Sequence, residues 1–307
     1  MDAAPASVAA RGKLAAIVTL VRPHQWLKNG VVLAPLVFAH RLLDPHAVGL
    51  ALLAVVACCA VSSAGYVLND LLDVELDRLH PTKRARPLAA GALTPAEGAA
   101  VLGVAAVFGL GVSLALGEDV LYLNASYLAL QYAYSRVLKR VVILDVIVVA
   151  VGFIMRAYVG GRAIDVAVSP WLVLITFLLA LFLALNRRRQ ELVSLGDSAA
   201  AHRGVLADYT PALLDQMIAP ITAATLVAYM IYSVSPEVTE RLGTHWVHLT
   251  VPFVVFGMFR YLYLVHRRQA GEDPARILLG DGPLLASVLM WIAANLMLLY
   301  GWQLVGG

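Results

Sequence analysis

Nine apolar stretches, each 17 to 23 residues long, constrain this chain more than any other feature of its sequence. A helix that crosses the hydrocarbon core of a bilayer needs about 20 predominantly apolar residues. The stretches are 26–43, 48–68, 97–116, 120–138, 141–161, 170–186, 212–234, 246–265 and 283–304. Charged residues make up 14% of the chain, against about 25% in soluble domains. The sequence therefore predicts an all-α, polytopic membrane protein with nine transmembrane helices, and it excludes a soluble globular domain.

Lysine and arginine are unevenly divided between the segments that connect these stretches. Nearly all of them lie in the N-terminal segment and in the segments after the second, fourth, sixth and eighth stretches. The positive-inside rule therefore predicts a multi-pass plasma-membrane protein with a cytoplasmic N-terminus and an external C-terminus. We expect residues 1–25 to form a cytoplasmic segment with an interfacial helix, and residues 26–307 to form a single transmembrane helical domain.

Carboxylates cluster where the second apolar stretch ends. Asp70, Asp73 and Asp77 are spaced three and then four residues apart, so on a helix they share one face, and Asn69 precedes them. Three such carboxylates repel one another unless a cation lies between them, and hard oxygen ligands suit Mg²⁺. The sequence therefore predicts an Mg²⁺ site formed by Asn69, Asp70, Asp73 and Asp77, although a solvated acidic helix end is the simpler alternative.

Basic and polar side chains follow at three further places on the same side of the membrane. Cations beside a metal–carboxylate cluster neutralise phosphate oxygens that the metal does not reach. For the arginines taken one by one, ordinary topology charge explains the pattern about as well. The candidate substrate-binding residues are Lys28, Lys83, Arg86, Tyr134, Lys139, Arg140, Arg156, Asn186, Arg188 and Glu191.

Arg156 and Asp145 lie within one apolar stretch, eleven residues apart, and so return close to the same helix face. An arginine inside a membrane span normally faces a partner or a wet cavity. We expect Arg156 to line a cavity, and a structural ion pair between Arg156 and Asp145 is the alternative.

Taken together, these residues resemble the UbiA-type intramembrane prenyltransferases. Residues 69–77 fit the NDxxDxxxD motif of that family, residues 83–91 resemble its basic loop, and Tyr134 with Lys139 resembles its Tyr/Lys element. The resemblance extends through roughly residue 200. It implies a bundle of nine helices around a central cavity that opens laterally to lipid, with a polar cap on the cytoplasmic side. It also implies Mg²⁺ as the cofactor.

One segment departs from the family pattern. Most members carry a second aspartate motif after the sixth helix, whereas residues 186–191 here read Asn-Arg-Arg-Arg-Gln-Glu. This run, with the opening Arg-Pro-His-Gln-Trp-Leu-Lys-Asn at 22–29, is similar to a branch of the family that uses phosphoribosyl diphosphate. The implied reaction transfers a 5-phosphoribosyl group to a polyprenyl phosphate, such as decaprenyl phosphate, and releases diphosphate, which would serve cell-wall arabinan synthesis.

The resemblance also implies a division of roles. Mg²⁺ held by Asp73 and Asp77, with help from Asn69 and Asp70, would grip the diphosphate while a lipid phosphate oxygen attacks. The expected partners are phosphoribosyl diphosphate, a polyprenyl phosphate and the bilayer, with no nucleic acid, and the oligomeric state stays open. Two alternatives remain: a prenyltransferase that moves the prenyl group onto an aromatic acceptor, and a membrane transporter.

Overall fold

The computed structural model describes residues 6–79, 82–195, 204–267 and 274–305, and every regular element in these ranges is helical, which confirms the all-α prediction. The α-helices are α1 (Ala6–Val21), α2 (Ala34–Phe38), α3 (Pro45–Leu72), α4 (Val74–Leu79), α5 (Pro95–Leu116), α6 (Glu118–Arg136), α7 (Leu144–Ala163), α8 (Pro170–Leu195), α9 (Pro211–Val234), α10 (Pro236–Leu242), α11 (Val251–Arg267), α12 (Pro274–Gly280) and α13 (Gly282–Val305). Short 3₁₀ segments span Pro23–Leu33, Lys83–Ala85, Leu138–Arg140, Gly204–Asp208 and Val247–Thr250.

Seven helices in the described part of the chain are long and apolar enough to cross a membrane. They are α3, α5, α7, α8, α9, α11 with its preceding 3₁₀ turn, and α13. Each coincides with one of the predicted apolar stretches, so the chain is a multi-pass membrane protein. The interfacial position expected for residues 1–25 stays a prediction, although α1 does form a helix over part of that segment.

The other two predicted stretches fold differently. Residues 26–43 do not form one α-helix, because a 3₁₀ segment leads into the five-residue α2 and the chain then turns. This segment lies in backbone contact with α7, since a Cβ atom added at Gly160 would lie 1.9 Å from the Val32 carbonyl oxygen. The fourth stretch does form a helix, α6, but side chains such as Asn124 and Gln131 make it too polar to count among the seven.

The end of α3 positions the carboxylate cluster. Asp44 begins this helix by accepting hydrogen bonds from the backbone N–H groups of His46 and Ala47. The helix ends at Leu72, because Asp73 leaves the helical conformation with φ −104° and ψ 8°. The short α4 then starts a new direction. Asp73 therefore lies at a bend between two helices, whereas Asp70 and Asp77 lie within them.

The end of the bundle that holds Asp70, Asp73 and Asp77 is here called the carboxylate end, and the end where α3 begins is called the opposite end. A cavity of about 1080 Å³ lies among α7, α8, α9, α11, α13 and the segment that contains α2. Lys28 and Arg187 line it towards the carboxylate end, and His40, Arg41 and Arg241 line it at the opposite end. Its long walls are mostly apolar, which suits a hydrocarbon chain.

Candidate functional site

Asp70 and Asp77 are drawn together by one guanidinium group. The Nη1 atom of Arg86 lies 2.9 Å from an Asp70 oxygen and 2.6 Å from an Asp77 oxygen. Arg22 donates from Nη2 to both oxygens of Asp70, at 2.6 and 2.8 Å. Both carboxylates are almost fully buried, and each arginine is about a fifth to a quarter exposed. Asp70 and Asp77 thus form a buried anionic pair neutralised from the adjoining loop and from the start of the chain.

Asp73 faces a different cation. Lys139, from the turn after α6, donates to both of its oxygens at 2.7 and 2.5 Å. Asn69 lies beside this pair, because its side-chain oxygen accepts a hydrogen bond from Ser135 at 3.1 Å. The three aspartates therefore have two sets of cationic partners, and that they share one face stays a prediction. Asp73, at the break between α3 and α4, pairs with Lys139 from the turn after α6, whereas Arg86 bridges the other two.

The electrostatic environment of Asp77 combines opposing effects. Burial raises the pKa of its carboxyl, and the guanidinium of Arg86 lowers it, as does the ammonium of Lys83 to a smaller extent. The negative charge of Asp70 raises this pKa further. Burial is the larger influence, so the pKa of Asp77 lies above its ordinary value.

The donor set fits a divalent cation in its chemistry. Within the described ranges, no three histidine, cysteine, aspartate or glutamate side chains converge as a metal cluster. The Asp70 and Asp77 oxygens nevertheless approach a single cationic nitrogen, so their spacing already suits a shared positive charge. Asp70, Asp77 and the nearby Asp73 are hard oxygen donors of the kind that Mg²⁺ prefers, and Mg²⁺ usually completes its shell with water and phosphate oxygens.

A second buried ionic cluster lies at the carboxylate end of α7 and α8. Arg188 donates from Nε to Asp145 at 2.6 Å and from Nη1 to Glu191 at 2.6 Å. Its Nη2 atom donates to the hydroxyl of Tyr134 at 3.2 Å. Asp145 is fully buried, and Arg188 and Glu191 are each about one-twentieth exposed. The cluster joins α6, α7 and α8 through one guanidinium.

Tyr209 attaches the segment before α9 to this cluster. Its hydroxyl donates to Asp145 at 2.8 Å and accepts the backbone N–H of Ile143 at 2.7 Å. Ile143 has φ +69°, which is strained for a β-branched residue. Burial raises the pKa of the Tyr209 phenol to about 12, so this hydroxyl keeps its proton at neutral pH and holds the strained turn.

Arg156 lies apart from both clusters. Its guanidinium donates to Asn29 at 2.7 Å, to the Gly152 carbonyl at 3.0 Å and to the Tyr127 hydroxyl at 2.6 Å. It is not among the cavity-lining residues, so the structure does not support the expectation that it lines the cavity. The alternative of an ion pair with Asp145 is wrong, because Asp145 pairs with Arg188 instead. A substrate-binding role for Arg156 stays a prediction.

The remaining predicted site residues occupy three environments. Lys28 lines the cavity and donates to Gln25. Arg140 is exposed on the 3₁₀ turn beside Lys139. Asn186 is buried on α8, where its side-chain nitrogen donates to the Phe182 carbonyl at 2.9 Å. The structure therefore gathers most predicted residues at one end of the bundle, in two clusters and a cavity mouth.

The two clusters contain three residues that were not among the predicted site residues. Arg22 is 48 residues from Asp70 in sequence, and only its place in the resembling segment 22–29 marked it. The spacing of Asp145 suggests Arg156 as its alternative partner, whereas its partner in the structure is Arg188. Tyr209 carries no sequence signal of its own, because its importance depends on how the segment before α9 packs against Ile143.

Comparisons with known proteins agree with this geometry. The sequence profile of the UbiA prenyltransferase family matches residues 30–280. The chain is 33% identical over 302 residues to the decaprenyl-phosphate phosphoribosyltransferase of Mycolicibacterium smegmatis. The match covers 95% of this chain and 94% of that enzyme. It is 32% identical over 289 residues to the enzyme of that name from Corynebacterium glutamicum, and this match covers 92% of this chain and 86% of that enzyme.

Solved structures share the fold. A UbiA homologue from Archaeoglobus fulgidus bound to DMAPP and Mg²⁺ superposes with a TM-score of 0.70 at 18% sequence identity. The match covers 92% of this chain and 98% of the archaeal protein. A structure of a digeranylgeranylglyceryl phosphate synthase superposes with a TM-score of 0.62 at 17% sequence identity, over 92% of this chain and 98% of that protein.

Proposed function

Because the chain belongs to the UbiA prenyltransferase family, we propose that it is an Mg²⁺-dependent transferase that moves a 5-phosphoribosyl group from phosphoribosyl diphosphate to a polyprenyl phosphate. The near full-length similarity to two decaprenyl-phosphate phosphoribosyltransferases supports this substrate pair and a decaprenyl chain. A role in cell-wall arabinan synthesis would follow from the same similarity.

The cations that line the cavity at the carboxylate end are the structural observation that carries the proposal. Lys28 and Arg187 line the cavity there, whereas the buried Arg188 is already paired with two carboxylates. Arg22, Arg86 and Lys139 lie at the same end of the bundle. Phosphoribosyl diphosphate and a lipid phosphate together bring more phosphate groups than one prenyl diphosphate does, and this concentration of cations suits that load.

Each cluster has a distinct task in the proposed reaction. When bound between Asp70, Asp73 and Asp77, Mg²⁺ would supply positive charge to the diphosphate leaving group. Arg86 and Lys139 already contact these carboxylates. Once the metal is bound, they are placed to contact phosphate oxygens instead of the carboxylates. Lys28 and Arg187, at the cavity mouth, are placed to hold the phosphate of a lipid whose chain lies along the apolar walls.

The covalent step needs no side-chain base. An oxygen of the polyprenyl phosphate attacks the anomeric carbon of ribose, the bond from that carbon to the diphosphate oxygen breaks, and diphosphate leaves with the electron pair. A phosphate monoester is largely deprotonated near neutral pH, so its oxygen is nucleophilic without help. Preorganised cations stabilise the charge that develops on the leaving group.

Purified protein in detergent provides the direct test. With Mg²⁺, ribose-labelled phosphoribosyl diphosphate and decaprenyl phosphate, we expect label to enter the lipid extract and an equal amount of diphosphate to be released. Chelation of the metal should stop both. Transfer from a prenyl diphosphate to an aromatic acceptor, without any labelled lipid, would instead identify a conventional prenyltransferase. An absence of turnover on every prenyl substrate would favour the transporter alternative.

Nine membrane crossings are also part of this proposal. Lys139, which follows α6, contacts Asp73 at the carboxylate end, and Asp119 near the start of α6 lies 3.6 Å from Arg162 at the end of α7. A helix of 19 residues is about 28 Å long, close to the hydrocarbon thickness of a bilayer. The segment from Arg22 to Val37 also runs from one end of the bundle to the other. Arg22 contacts Asp70 at the carboxylate end, and the Val37 carbonyl accepts a hydrogen bond from Tyr300 near the end of α13.

Cysteine accessibility tests these crossings and the predicted orientation. Glu118 and Arg136 are exposed residues at the two ends of α6, and both native cysteines are buried. In intact cells, Glu118→Cys should react with a membrane-impermeant maleimide, whereas Arg136→Cys should react only after permeabilisation. Equal labelling of both variants in intact cells would contradict a crossing by α6, and the reverse pattern would contradict a cytoplasmic carboxylate end.

A further inference from the structure

Two amide oxygens on α8 are buried without a hydrogen-bond partner. Asn186 is 1% exposed and Gln190 is 4% exposed. The Oδ1 atom of Asn186 and the Oε1 atom of Gln190 accept no hydrogen bond from any residue that the structure describes. Buried polar atoms are nearly always hydrogen-bonded, so two acceptors without donors on one helix require an explanation.

These two residues lie on the stripe of α8 that lines the cavity, although neither is itself a lining residue. Leu183 and Arg187 line the cavity. Gln190 follows them at spacings of seven and three residues, and Asn186 is three residues after Leu183 and one helical turn before Gln190. Residues three, four and seven apart lie on the same helix face. The two acceptors are therefore buried on this stripe beside Arg187, at the end of the cavity nearest the carboxylate end.

A comparison within the protein shows that the unmet acceptor at Asn186 is not a general property of buried asparagines. Asn295 on α13 is 4% exposed, and its side-chain nitrogen donates to the carbonyl four residues earlier, as that of Asn186 does. The amide oxygen of Asn295, however, is not among the buried polar atoms without a partner in the described part of the chain. Asn186 has the same local geometry, and its acceptor is unmet.

The chemistry of the missing partner can be stated. An amide oxygen requires a donor, so neither a phosphate oxygen nor a prenyl chain can satisfy it. A prenyl diphosphate carries no hydroxyl group, whereas the ribose of phosphoribosyl diphosphate carries two adjacent hydroxyls at C2 and C3. Neutral amides also accept hydrogen bonds without placing further negative charge beside the phosphates, unlike carboxylates at the same positions.

We propose that Asn186 and Gln190 form a hydroxyl-binding subsite that recognises the ribose of the donor substrate and so determines specificity for a phosphoribosyl group over a prenyl group. This subsite deepens the proposed function and rests on it. Arg187, on the same stripe, is the residue placed to hold the lipid phosphate, so the ribose and the attacking phosphate would lie side by side, and the Arg188–Glu191 pair holds this end of the helix in place.

The test measures how strongly the enzyme prefers phosphoribosyl diphosphate to its 2-deoxy and 3-deoxy analogues. Kd, KM and kcat are determined for both types of donor, with the folding of each variant checked by thermal unfolding in detergent. Wild-type protein should favour the ribosyl donor over a deoxy analogue by about tenfold or more in kcat/KM. The analogue lacks the hydroxyl and so leaves a buried acceptor without a hydrogen bond. Gln190→Met and Asn186→Leu should lose most of this preference, mainly through KM. The matched control Asn295→Leu should retain the wild-type preference.

The outcomes separate the subsite from the reaction. Normal phosphoribosyl transfer with an unchanged preference in Gln190→Met and Asn186→Leu would overturn the subsite and leave the proposed function standing. The same is true if wild-type protein does not distinguish the deoxy donors, in which case a buried water is the simpler partner of the two amides. Wild-type protein that transfers no phosphoribosyl group at all would overturn the proposed function and the subsite together.

Discussion

Asp77→Ala and Asp73→Ala proteins are expected to fold and to lose turnover by a factor of about 1,000 or more, because each removes a carboxylate that would hold the metal opposite the leaving group. The structure explains why folding should survive. Without Asp77, the guanidinium of Arg86 still pairs with Asp70, and the arginine is a quarter exposed. Without Asp73, Lys139 remains partly exposed to water. Neither change leaves a buried charge without a counter-ion.

The matched control for these variants lies on the same short helix. Glu75 is two residues from both Asp73 and Asp77, but its side chain is 78% exposed and pairs with the exposed Arg78. Glu75→Ala should therefore turn over like the wild-type protein. The measurement is label transfer at saturating substrate across a range of Mg²⁺ concentrations, with thermal unfolding as the check on folding. Substantial activity in Asp73→Ala or Asp77→Ala would show that these carboxylates do not hold an essential metal.

Hydropathy predicts a membrane-spanning helix correctly where the segment is apolar enough to be recognised from its own sequence. Helices such as α3 and α5 are apolar enough along their whole length to be recognised without knowledge of their neighbours. The segment 26–43 was harder, because its 3₁₀ conformation depends on backbone contact with α7 at Gly160. No periodicity within the segment encodes that contact.

The sequence predicts which residues belong to the candidate site, but it does not predict which of them pair with each other. Spacing along one helix groups the three aspartates, but it does not predict that Arg86 bridges Asp70 and Asp77 while Lys139 pairs with Asp73. Spacing also brought Asp145 and Arg156 together, whereas α8 supplies the actual partner of Asp145. Sequence spacing reports which face a residue occupies. Which neighbouring helix meets that face depends on tertiary packing, which local spacing does not specify.

The network around Arg188 should be the most destabilising place to remove a single charge. Asp145→Leu is expected to lower the free energy of unfolding by about 3–5 kcal/mol, because it leaves a buried guanidinium with only one of its two carboxylates and removes the acceptor of Tyr209. The neighbouring Arg189–Asp215 pair is a matched control, since Asp215 is 43% exposed. Asp215→Leu should cost less than about 1 kcal/mol. Reversible unfolding in mixed micelles measures both.

A triple variant separates the structural role of this network from its role in the reaction. In Asp145→Leu/Arg188→Met/Glu191→Leu, all three buried charges are replaced by apolar groups, and such replacements are often neutral or stabilising by about 1–4 kcal/mol. Stability should therefore recover most of what Asp145→Leu loses. Turnover should not recover, because Arg188 would no longer be present to orient the polar end of α8 towards phosphate. Recovery of both stability and turnover in the triple variant would mean that the network only holds α6, α7 and α8 together. An equal loss of stability in Asp145→Leu and Asp215→Leu would mean that burial of the Arg188 network does not contribute.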